Sequence, residues 1–132
     1  MGTIGNTFDS KTTNYGKAKK IWREVKAVYP GGGTIVNASD FVDEGKVPGG
    51  IAVKFDASAK TITAYKASEI TAGDVATLGI NGYLQEDAVV ESGTTATGTV
   101  VYSGEIYEYM FDEEVVAKLK GNALTSQIVF VQ

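Results

Sequence analysis

Sixteen carboxylates, with no histidine and no cysteine, set the chemistry that this chain of 132 residues can attempt. The acids gather at Asp43-Glu44, Glu86-Asp87 and Asp112-Glu113-Glu114. Neighbouring carboxylates can act as general acid and base, or as hard oxygen ligands for a cation. None of the three has the spacing of a known site. The Asp-x-Asn-x-Asp-Gly pattern of a calcium loop is missing, and without histidine a metal site would need oxygen donors from distant segments. The clusters are therefore expected to be solvated turns and, for the third, a helix cap. The lack of histidine and cysteine also removes Ser-His-Asp and Cys-His nucleophiles, thiolate zinc sites and disulfides. These residues predict a protein that is not an enzyme, with no catalytic, metal or cofactor-binding residue.

Two further motifs invite a chemical reading. Tyr29-Pro30-Gly31-Gly32-Gly33-Thr34 is glycine-rich like a phosphate cradle, yet it lacks the Gly-Lys-Ser/Thr ending of a P-loop and the GxGxxG spacing of a dinucleotide turn. A hinge is the expectation there. Asn37-Ala38-Ser39 matches a glycosylation acceptor, a pattern common by chance.

The strongest binding signal is at the amino terminus. Residues 1–26 carry six Lys or Arg against two acids, net +4, and the remainder is net −8. Phe8, Tyr15 and Trp22 are spaced through this basic stretch together with Lys19, Lys20 and Arg23. Aromatic residues and arginine dominate interface energies, so these six are the predicted contacts of an arm with an acidic protein surface. Nucleic acid is not expected as the partner, because the basic residues are few, diluted by acids and attached to an acidic body.

The elements that must carry these residues are mostly strands. Hydrophobic residues make up 43 % and charged residues 21 %, so the chain can build a single core, and sixteen glycines against two prolines suit many short strands with turns. No stretch approaches the roughly 18 apolar residues of a membrane span, and the first residues show no leader pattern. Lys17 to Val28 is readable as a short helix, since Ile21, Val25 and Val28 recur at four- and three-residue steps. Past the glycines, runs at 34–37, 51–55 and 60–65 read as strands, the last two as a hairpin. In 75–84, Asn81-Gly82 is either a bulge or a tight turn. The run 94–102 reads as a strand that Ser103-Gly104 separates from 105–111. Asp112 to Gly121 is the clearest helix, with acids at its start, Lys118 and Lys120 at its end and an apolar stripe of Val115, Val116 and Leu119. Residues 126–131 read as a strand in the middle of a sheet.

In residues 46–121, the run KVPGGIAVKFDASAKTITAYKA followed by ATLGINGYLQEDAVVESGTTATGTVVYSGEIYEYMF resembles the head decoration and head fibre proteins of tailed bacteriophages. The matching positions are Gly50 to Asp56, Leu78 to Asp87 and Ala96 to Ile106. The resemblance implies a mainly β, sandwich- or barrel-like body of β-tulip type at 34–132, preceded by an arm and glycine hinge at 1–33. It also implies a homotrimer on the outside of the virion, made in the host bacterial cytoplasm, whose partner is the major capsid protein and not a membrane. Three rival readings remain: a different virion part, such as a tail or baseplate adaptor or a receptor-binding fibre domain; a glycan-binding module using the seven tyrosines and the tryptophan as a sugar platform; and an enzyme.

Overall fold

The computed structural model describes residues 21–132 apart from Asp74 and Ser92. Its strands are β1 (Trp22–Val28), β2 (Gly33–Ile35), β3 (Lys46–Val47), β4 (Ala52–Asp56), β5 (Thr61–Ala64), β6 (Gly82–Leu84), β7 (Ala88–Val89), β8 (Thr97–Gly98), β9 (Val100–Tyr107) and β10 (Ile128–Val131). Three helices, α1 (Ala67–Ala72), α2 (Val75–Leu78) and α3 (Glu113–Lys120), complete it. The expected mainly β class is what forms. One curled mixed sheet, a half-barrel, runs in the order β1-β9-β6-β4-β5-β2-β8, with β10 parallel to β9 and a separate β3-β7 ribbon.

Adjacent apolar residues on the central strands go to opposite faces, because side chains alternate along a strand. Ala52, Tyr83 and Val101 enter one core with Trp22, Ile80, Ile106, Val115, Leu119 and Ile128. Their neighbours Val53, Leu84 and Val100 enter a second with Phe41, Val47, Phe55, Ile62 and Ala88. Both faces of the sheet centre are buried, and this explains why the strands read as short apolar pairs without clean alternation.

The predicted hairpin forms as β4-β5, Val53 opposite Ala64 and Asp56 opposite Thr61. Asp56 Oδ1 accepts the N–H groups of Ser58 and Ala59 at 3.0 and 3.2 Å and shapes its turn. The predicted helix forms as α3, with Asp112 at its N-cap, Gly121 at its C-cap and Val115, Val116 and Leu119 buried. Asp112 makes no side-chain cap bond, so its favourable role is its charge at the positive helix end.

Several expectations need correction. The stretch read as a helix up to Val28 is β1 from Trp22 onward. Its register against β9 slips at Trp22/Glu24, Val25/Ala27 and Ala27/Val28. Each bulge shifts the inward face by a residue, so Ile21, Val25 and Val28 all reach the core at helix-like spacing. Ser103-Gly104 does not divide two strands; β9 runs straight through it. A side chain at Gly104 would put its Cβ 2.6 Å from Glu24 O, so glycine is there for close approach of β1. The interruption falls at Thr99, between β8 and β9. Residues 75–78 are helical, and Asn81-Gly82 is an entry into β6, where Asn81 substitutes for a strand neighbour. Its Oδ1 accepts Phe55 N–H at 2.8 Å and its Nδ2 donates to Phe55 O at 3.0 Å. Asn37 does the same for Ala64 at 3.0 and 2.7 Å. The closing strand β10 pairs with β9 alone among the described residues, at the flank and not in the middle of the sheet.

The glycine segment 31–33 is a corner. β1 pairs with β9, Tyr29 N–H donates to Val100 O at 2.9 Å, and β2 pairs with β8, so one ribbon continues across the bend. Gly31 and Gly32, at φ +84° and +60°, lie in the left-handed region that the bend requires. Residues 22–33 are thus part of the body that the sequence reading began at residue 34.

Candidate functional site

The six predicted arm contacts divide at residue 21. Phe8, Tyr15, Lys19 and Lys20 lie outside the described residues. Trp22 is a core residue, 8 % exposed, and its Nε1 donates to Gln85 O at 3.0 Å. Its ring meets Tyr83 edge-on at 6.5 Å. It is therefore spent on the fold and does not project as an anchor, a correction forced by the bulges that turn it inward. Arg23 faces outward, at 3.3 Å from Glu105 in an ion pair whose arginine end is mostly solvated. The chain is fastened where β1 begins. Ile21 O accepts Tyr107 N–H at 3.0 Å, and the Ile21 side chain lies so close to Gly49 and Gly50 that a Cβ on either would fall 2.9 or 2.7 Å from it.

The acidic clusters meet only in part. Glu44 and Asp112 line one apolar groove of about 470 Å³ whose walls include Phe41, Ile51, Tyr65 and Phe111. Glu44 is held by Lys66 at 3.3 Å, and Lys66 also donates to Asp40 O at 2.7 Å and sits 4.9 Å from the centre of the Phe41 ring. Asp87 accepts Gly49 N–H at 2.7 Å and pairs with Lys46 at 3.0 Å. Burial alone would raise the Asp87 pKa, but the Gly49 bond and Lys46 outweigh it and hold the carboxyl below its usual range. Glu44 and Asp87 thus stabilise loops through partners of their own. Among the described residues, no group of three or more acids is placed to hold a metal ion. The glycine corner lines an open groove of about 880 Å³ with Lys60, Glu86 and Asp87, in which the acids outnumber the single lysine, the reverse of a phosphate site. No helix of the described residues is long and apolar enough to cross a membrane.

A third groove, of about 700 Å³, was not anticipated from the residues. It runs between the turn that ends β9 and the outer face of α3, lined by Glu108, Tyr109, Phe111, Glu113, Val116, Ala117, Lys120 and Gln132. Tyr109 is 51 % exposed, and its ring is stacked on Tyr107 at 5.3 Å and 17°. Lys120 reaches Glu108 at 3.2 Å and Gln132 Nε2 donates to it at 3.5 Å. The available signals were Tyr107-x-Tyr109 and the i, i+3, i+4, i+7 set Glu113, Val116, Ala117, Lys120, which places two charges at the ends of one helix face.

No protein-family model matches the chain, and a search of curated proteins returns no relative.

Proposed function

We propose that this chain is a viral structural protein, without catalytic function, that binds the outer surface of a tailed-phage head and decorates or stabilises it. The division of charge carries the reading. Residues 1–20 hold four lysines and one aspartate, whereas residues 21–132 hold eight basic against fifteen acidic side chains. A basic, aromatic-bearing segment thus joins an acidic β body whose first strand is fixed by Trp22 and Ile21. In this reading Phe8, Tyr15, Lys19 and Lys20 grip the major capsid protein, Arg23 adds a rim contact, and the body stays outside. The resemblance supplies the trimer and the virion exterior as the setting. On a head, a modest contact is repeated over many copies, so valency multiplies weak individual affinity.

The test is co-sedimentation of the purified chain with empty expanded heads of its parent phage, beside a variant comprising residues 21–132. The truncation must stop at residue 20, because removing β1 would strip Trp22 from the core. Saturable pelleting of the full chain that the shorter form loses is the expected result. Pelleting of neither form, or of both equally, rejects the arm-mediated reading.

A further inference from the structure

We propose that the apolar groove beside Gly50 is the docking site of this chain's own residues 15–20, with Tyr15 filling it and the adjoining lysines on the acids at its rim. The place where the chain enters the body carries the argument. Ile21 O accepts Tyr107 N–H, so whatever precedes Ile21 is joined to the body beside the end of β9. From there the chain of β9 leads through Glu108 to Phe111 and Asp112, two of the residues that line the groove. The Ile21 side chain itself abuts Gly49 and Gly50, two more of them. Tyr15 is six residues before Ile21, a reach of at most about 20 Å for an extended chain.

The chemistry of the groove matches that segment. Ile51, Tyr65, Ile70 and Val115 give it an apolar lining. Its volume of about 470 Å³ lies within the roughly 300 to 1,000 Å³ of small-molecule clefts, room for one aromatic side chain. Both lysines of the lining are neutralised, Lys66 by Glu44 and Lys46 by Asp87. Asp112 makes no side-chain cap bond, and among the described residues neither it nor Glu113 or Glu114 forms an ion pair. The charge left at this rim is negative, against Lys17, Lys19 and Lys20 in the segment. Tethering favours the same pairing. A short connection gives an effective concentration on the order of millimolar, so a weak contact suffices within one chain and a second copy competes poorly. The head-binding reading gives these residues to the capsid, so a head must displace them; the docking is a property of the free chain and does not rest on that reading.

The experiment is paramagnetic relaxation NMR on the full chain without heads. The chain has no cysteine, so Asn14→Cys carries a single spin label next to Tyr15. The amides of Gly50, Ala67 and Val115, around the groove, are expected to broaden. Two further variants in the labelled background separate docking from mere tethering near the rim. One is Tyr15→Ala; the other is Ala67→Trp, which fills the groove from an exposed position at the start of α1. Each should remove most of the broadening, while the amide shifts of the rest of the body show that the fold is kept. Mixing isotope-enriched chain that lacks the spin label with spin-labelled chain that lacks the isotope should leave the groove amides sharp. Absence of broadening at the groove, broadening that survives either variant, or broadening that passes between chains in the mixture overturns the proposal.

Discussion

Replacing Trp22 separates a tryptophan built into the body from one carried on an arm. Trp22, on β1, is buried in the core shared with Tyr83, Ile106 and Val115, gives its N–H to Gln85 O and meets the Tyr83 ring edge-on. Trp22→Ala opens a cavity on the scale of the largest core truncations, about 3 to 5 kcal/mol. Trp22→Phe keeps most of the apolar contact but strands the Gln85 carbonyl, at about 1 to 3 kcal/mol. For a domain of this size each kcal/mol lowers Tm by roughly 3 to 6 °C, so the alanine variant should melt more than about 10 °C below the parent. Urea unfolding followed by far-ultraviolet circular dichroism measures both variants. Fluorescence of the single tryptophan follows the parent and should move to longer wavelength in the same transition. An alanine variant within about 0.5 kcal/mol of the parent, as for a surface position, would refute the placement of Trp22 and restore it to the arm.

Tyr83 is wholly buried, and among the described residues its hydroxyl makes no well-formed hydrogen bond. Tyr83→Phe should leave stability unchanged or raise it by up to about 1 kcal/mol in the same urea assay. Burial pushes the Tyr83 pKa far up, only partly countered by the Thr125 hydroxyl. The protein should therefore hold its stability up to about pH 10, where unfolded tyrosine ionises, and lose it above, and Tyr83→Phe should flatten that loss in alkaline melts. Asp87 has the opposite sign, its folded pKa being depressed. Its contribution is present above about pH 4 and lost as pH falls through the folded value, and with both partners about half solvated Asp87→Asn should cost under about 1 kcal/mol and blunt the acid limb. Asn81→Ala leaves Phe55 N–H and C=O without partners and should cost about 1 to 3 kcal/mol, read from the denaturation midpoint.

Local patterns were the legible part of the fold. The β4-β5 hairpin announced itself through alternation and an Asp turn, and α3 through its acidic start, basic end and glycine stop, all signals carried within about ten residues. Pairing between distant segments was not legible. The bulges of β1 exist only against β9, and they gave a strand the apolar spacing of a helix. Gly104 read as a separator because glycine serves both turns and close strand contacts, and only Glu24 O at its back decides which. Asn37 read as the end of a strand run and Asn81 as a bulge or turn residue, yet each pairs with a strand backbone 27 or 26 residues away. The same limit applies to the sites. The basic character of residues 1–20 is visible in composition, whereas the Tyr109 groove depends on α3 lying beside the end of β9.

The most direct test of the head-binding account is a cryo-electron microscopy reconstruction of expanded heads saturated with the full chain. The account predicts added density on the outer surface, shaped as the β body, with a thin connection from the start of β1 to the major capsid protein. Heads that remain bare at saturating protein, or density held only through the body with nothing leading from Ile21 to the capsid, would contradict it.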